Sequence, residues 1–187
     1  MFCSDSDVYE MEMSKCATID DFVKFAKENP HVPIDEVFHW ATNEVGCGET
    51  IDVVKAFLAA GQMDIDEIAR WPNDSHGMTT LLLSAAEFRD DELLSGLLEL
   101  GANVDATCER ACGGFGVIDT IILGHNPQCN KDTCKRVNKC LDAILPYKPS
   151  MVMKPFVKQS FHGNEWPGFK KDERIAKFVN ECVVMTV

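Results

Sequence analysis

Only six lysines and arginines stand among the first hundred residues, against 21 aspartates and glutamates. The rest of the 187-residue chain carries 12 basic and 9 acidic side chains, and the formal net charge is -12. So acidic a front half repels phosphate backbones, which argues against nucleic acid as a partner. It points instead to a protein with a basic surface, the competing reading being a solvated acidic face with no partner. No apolar run approaches the roughly 18 residues that a bilayer-crossing helix needs, so no membrane partner is expected. The opening MFCSDSDVYEMEMSK has no basic stretch followed by an apolar core and does not read as a secretory signal. Nine cysteines without such a signal point to reduced thiols and a cytoplasmic location. There is no GxGxxG after a strand pattern, no P-loop and no HExxH, so no cofactor is implied.

The chain does contain repetition. From Val53 it reads VVKAFLAAG, from Leu93 LLSGLLELG and from Cys140 CLDAILPYK. Two apolar residues, two spacers, two apolar residues and two spacers align without a gap in all three. Such spacing makes one apolar stripe on a helix. Gly61 and Gly101 then stand where a helix ends in the left-handed conformation, and Lys148 takes that place in the third copy. Before the second copy, Leu81, Leu82, Ala85 and Ala86 form a narrower helical face, and Asp90 and Asp91 open the next segment. Two short helices joined by so tight a turn pack antiparallel, and a pair this small buries its apolar face only against a neighbouring pair.

Thr80 to Ala106 resembles one full repeat of the ankyrin family, whose TPLHxA-like first helix and glycine-terminated second helix lead into a hairpin loop. Phe38-His39-Trp40-Ala41-Thr42 resembles the LHxAA element of the preceding repeat, and the segment from about Phe115 to Tyr147 resembles a degenerate third. The likeness spans roughly residues 34 to 147. It implies an all-α, ankyrin-like helical solenoid of about three helix pairs with N- and C-terminal capping helices. It further implies binding of a partner protein through loop tips and a concave face, as an adaptor or inhibitor, with pathogen or viral mimics of host proteins among the family's roles. His39 would be a structural residue joining neighbouring repeats.

Around this core, residues 1–16 read as a flexible acidic leader, 17–149 as the repeat domain with its N-terminal cap helix, and 150–187 as a C-terminal capping segment. Thr18-Ile19-Asp20-Asp21 resembles a capping box, and Asn29-Pro30 ends the helix that it starts. Thr50 is expected to cap a helix over Ile51 to Ala60. In the long loop from Gln62 to Met78, the spacing of Ile65, Ile68 and Ala69 suggests a helical turn. Trp71, followed by the rigid Pro72, serves either as an exposed anchor for a partner or as local core under its own loop. Asp74 and His76 would add acidic and polar contacts. In the next loop, Arg110 would lie near the tip as a charge that fixes orientation, with Phe115 beside it. A short apolar helix is expected over Val117 to Leu123 and a longer one over Asp132 to Leu145.

Two chemical alternatives accompany the binding module. Cys108, Cys112, Cys129 and Cys134 have knuckle-like spacings that would suit zinc. Cys140 lies six residues from Cys134 on a helix, on the opposite side, and fits an apolar core position better. Cys47 or Cys112 beside glycines would offer an exposed thiol to a small cysteine-dependent enzyme on a helical scaffold. Neither belongs to a recognised nucleophile–base motif, so no catalytic residue is assigned. Composition and spacing leave the oligomeric state unassigned.

Overall fold

In the computed structural model, the described residues are 15–16, 18–32, 50–70, 78–108, 115–123, 131–150, 152–153, 173, 177, 180–181 and 183–184. Most of the leader, the segment with His39, and most of the C-terminal segment lie outside them. The described chain is mostly helical. Helix α1 (Ile19–Glu28) starts at Thr18, which closes the expected capping box: its hydroxyl accepts from Asp21 N at 3.2 Å, and its backbone N–H donates to Asp21 Oδ2 at 3.0 Å. Asn29 ends the helix, its amide nitrogen donating to the Phe25 carbonyl at 2.9 Å. Each bond satisfies a terminal backbone group that the helix itself leaves open.

Helix α2 (Thr50–Ala59) follows, then strands β1 (Ile68–Arg70) and β2 (Met78–Thr80), and helices α3 (Leu81–Phe88) and α4 (Asp91–Glu99). The same order returns in β3 (Thr107–Cys108), β4 (Phe115–Gly116), α5 (Val117–Leu123) and α6 (Lys131–Ile144), which runs into a 3-10 turn over Leu145–Tyr147. Strand β5 (Val152–Met153) pairs in parallel with β6 (Val183–Val184).

The mostly helical chain agrees with the all-α expectation, and its strands are short, two or three residues each. The segment Ile68–Arg70 is extended and pairs antiparallel with Met78–Thr80, so Ile68 and Ala69 do not belong to a helical turn. A turn does form just before them, where Glu67 N donates to the Asp64 carbonyl at 3.0 Å.

Packing follows the repeated apolar stripes. In one layer α1 packs on α2, α2 on α4 and α4 on α6; in the other α3 packs on α5. The pairs α3–α4 and α5–α6 connect the layers. Val53, Leu93 and Cys140, which align in the sequence, are 0%, 1% and 0% exposed. Phe57, Leu97 and Ile144 align four residues on and are as deeply buried. Phe25 of α1 meets Phe57 of α2 edge to face, with ring centres 6.5 Å apart, and so joins the first helix to the same core.

The three copies end alike. Gly61, Gly101 and Lys148 have φ of 70°, 94° and 52°. Helix α3 ends on Arg89, also left-handed at φ 56°, whose Nε donates to the Ile121 carbonyl of α5 at 3.0 Å. That bond carries a buried guanidinium from one helix pair to the next.

Candidate interaction surface

The two hairpins share one construction. In the first, Asp64 Oδ1 accepts from Asp66 N at 3.0 Å; in the second, Asn103 Oδ1 accepts from Asp105 N at 3.0 Å. Both are Asx turns, in which a short polar side chain substitutes for a backbone turn. Each is followed by a tight turn to Glu67 and Ala106, respectively, and then by the first strand. Ile68 pairs with Thr80, and Thr107 pairs with Gly116. In each hairpin the second partner lies immediately before a helix, α3 or α5. Thr80 is also the N-cap of α3, its hydroxyl accepting from Leu83 N at 3.3 Å.

The turns are connected from unit to unit. Asp66 Oδ1 accepts from Asn103 N at 2.7 Å, and Asp105 Oδ1 accepts from Ser150 N at 2.6 Å. Asp66 therefore reaches the backbone of the following turn, and Asp105 reaches the backbone just after the 3-10 turn. Charged acceptors make the stronger class of hydrogen bond. Strand β2 lies against β3, so the hairpins stand side by side.

Of the residues proposed as partner contacts, Trp71, Asp74 and His76 belong to the connection between β1 and β2, and Arg110 to that between β3 and β4. All four lie outside the described residues. Phe115 requires a correction. It pairs with Cys108 across the second hairpin and is only 8% exposed within the core, so its ring is committed to packing and has little area for a partner. Ile68 takes the opposite role. Expected in a helical turn, it is 55% exposed on β1, the most exposed large apolar side chain among the described residues. Its equivalent in the second hairpin, Thr107, is also exposed. The signal for Ile68 was its place just after the Asp64-x-Asp66 turn, which matches Asn103-x-Asp105 ahead of Thr107.

Two cysteine side chains are described, and both thiols are held protonated. Burial pushes Cys140 up to about 12, helped by the nearby Asp91 and Asp90 carboxylates. Partial burial, with Asp21 nearby, also raises Cys16. A raised pKa leaves the thiol, the weaker nucleophile, as the resting form at both positions. Of the zinc alternative, Cys112 and Cys129 and the side chains of Cys108 and Cys134 lie outside what the structure describes. Among the described residues no group of three or more histidine, cysteine and carboxylate side chains has metal-binding geometry. Among them, too, no helix is long and apolar enough to cross a membrane.

Comparison with protein-family models, with curated proteins and with solved structures finds no match.

Proposed function

We propose that the chain is a non-catalytic protein-interaction module, an ankyrin-like stack of about three helix pairs that holds a row of hairpins toward a partner protein. The carrying observation is the paired construction of the hairpins: the same Asx turn, the same strand register ahead of an inner helix, and a carboxylate bond from turn to turn. Fixing neighbouring turns in this way pre-organises the bases of the hairpins, which lowers the ordering cost of binding there. Exposed Ile68 supplies apolar area at the base of the first hairpin, and Trp71 and Arg110 are of the types that dominate interface energetics. The acidic balance of the first hundred residues favours a partner with a basic surface. The role is that of an adaptor, or of an inhibitor that occludes its partner's surface.

The test is affinity capture with the intact chain, Trp71→Ala, Ile68→Ser and a control on α1, Lys24→Ala. A partner held by the intact chain and the control but released by both hairpin variants is expected. Equal retention by all four proteins would move the binding surface away from the hairpins.

A further inference from the structure

A groove of about 370 Å³ opens between α2 and α4, in the helix layer that does not follow directly from the hairpin strands. Its floor is apolar: Ile51 rests on the bare backbone of Gly96, and half-buried Leu100 extends the floor toward the end of α4. Its rim is acidic. Asp91 is already paired with Lys139 at 3.0 Å, and the rim cation Lys55 with Asp52 at 3.3 Å. Glu92 and Glu99 are exposed and have no ion-pair partner among the described residues.

These two carboxylates stand seven residues apart on α4, two turns or about 10.5 Å along its axis. The same separation divides residues i and i+7 of any second helix laid along the groove. Helices that dock in grooves do so through i, i+3, i+4 and i+7, the apolar members inward. We infer that this groove receives a basic amphipathic helix of a partner protein: two lysines or arginines at i and i+7 meet Glu92 and Glu99, and apolar side chains at i+3 and i+4 cover Ile51 and Leu100. Charge complementarity selects this occupant: Glu92 has near it Lys139, which is already paired with Asp91, and an acidic helix would add like charge beside it and beside Glu99 on a newly dry surface. The surface is separate from the hairpins, and its occupation does not rest on their role.

The experiment titrates the full chain with a labelled, end-blocked helical peptide carrying lysine at i and i+7, leucine at i+3 and i+4, and alanine and glutamine elsewhere. Its glutamate-for-lysine counterpart is the control peptide. The lysine peptide should bind, shifting the amide resonances of Glu92, Ser95 and Glu99, and the glutamate peptide should not. The variant Glu92→Gln/Glu99→Gln should weaken binding by roughly 2- to 30-fold, the range for two exposed ion pairs. Asp20→Asn/Glu28→Gln on α1, a control for bulk charge, should leave it unchanged, as should Trp71→Ala. Circular dichroism checks that each variant keeps its fold. Equal weakening by both double variants, binding of both peptides, or no binding would overturn the proposal. So would a monomer–dimer equilibrium abolished by Glu92→Gln/Glu99→Gln, which would give the groove to a second copy of this chain.

Discussion

Replacing Gly96 by alanine tests how closely α2 and α4 approach. A Cβ added there would lie 2.6 Å from Ile51 Cγ1 and 2.7 Å from its Cδ1. Carbon atoms in contact normally stand 3.5 to 4.0 Å apart, so Ile51 would have to yield by about an ångström. Overpacking of this kind costs about 1–3 kcal/mol. Against it stands the gain of about 1 kcal/mol when a helical glycine becomes alanine. The net expectation for Gly96→Ala is a loss of up to about 2 kcal/mol. With Ile51→Ala the two clashing atoms are gone, and Gly96→Ala should then stabilise the protein by about 1 kcal/mol. The sign reverses between backgrounds, a coupling of about 1–3 kcal/mol expected only for residues in contact. Equilibrium urea unfolding of the four proteins measures it, provided the m values agree. Additivity within about 0.5 kcal/mol, or a Gly96→Ala that stabilises in both backgrounds, would refute the close approach of the two helices.

The remaining predictions address the caps, the inter-unit bonds and the buried thiol. Lys148→Gly should raise stability by about 0.5–1 kcal/mol in thermal or urea unfolding, since glycine takes the left-handed conformation without the Cβ penalty; Gly101→Ala should cost about 1 kcal/mol. Arg89→Ala should cost about 1–3 kcal/mol by removing the bond to the Ile121 carbonyl, and urea unfolding should show it. Asp66→Ala should lower stability by about 1 kcal/mol and speed amide exchange at Asn103, while leaving exchange within α1 unchanged. For Cys140, whose folded value of about 12 exceeds the ordinary thiol value of 9.0, the unfolded chain loses the thiol proton first. Above pH 9 the folded state therefore binds more protons, and stability falls as pH rises from 9 toward 12, with a slope approaching about 1.4 kcal/mol per pH unit. Cys140→Ala should remove this component from the measured pH dependence; an identical alkaline slope would contradict it.

Much of the helical frame was legible because its signals are local. The Thr18–Asp21 box, the Asn29 stop, the α5 bounds at Val117 and Leu123 and the three left-handed ends each depend on residues within one or two turns. The aligned positions Val53, Leu93 and Cys140 were legible because a stripe that recurs in register must be buried in register. The strand pairing of the first hairpin was not. Ile65, Ile68 and Ala69 have helical spacing, but the Asx turn at Asp64–Asp66 diverts the chain and Ile68 finds its partner in Thr80, so pairing overrides periodicity. Phe115 follows two glycines and reads as part of a loop tip; its burial depends on the strand return that places it under β3. The bonds from Asp66 to Asn103 and from Asp105 to Ser150 join residues 37 and 45 apart in sequence, and only the folded chain reveals them. The α2–α4 groove escaped notice for the same reason: Gly96 reads as a weak point in a helix until Ile51 is placed against it.

The central claim is that equivalent helices of successive units stack in a row, with α4 between α2 and α6. Lys55, Ser95 and Asp142 hold the same position in the three copies, and spin labels attached there by cysteine-independent chemistry give the separations from dipolar coupling. With neighbouring helix axes about 8–10 Å apart, the row predicts two short separations, 55–95 and 95–142, and a 55–142 separation near their sum, about 16–20 Å. A 55–142 separation no longer than the other two would mean a closed bundle, and would contradict both the stack and the binding surface built on it.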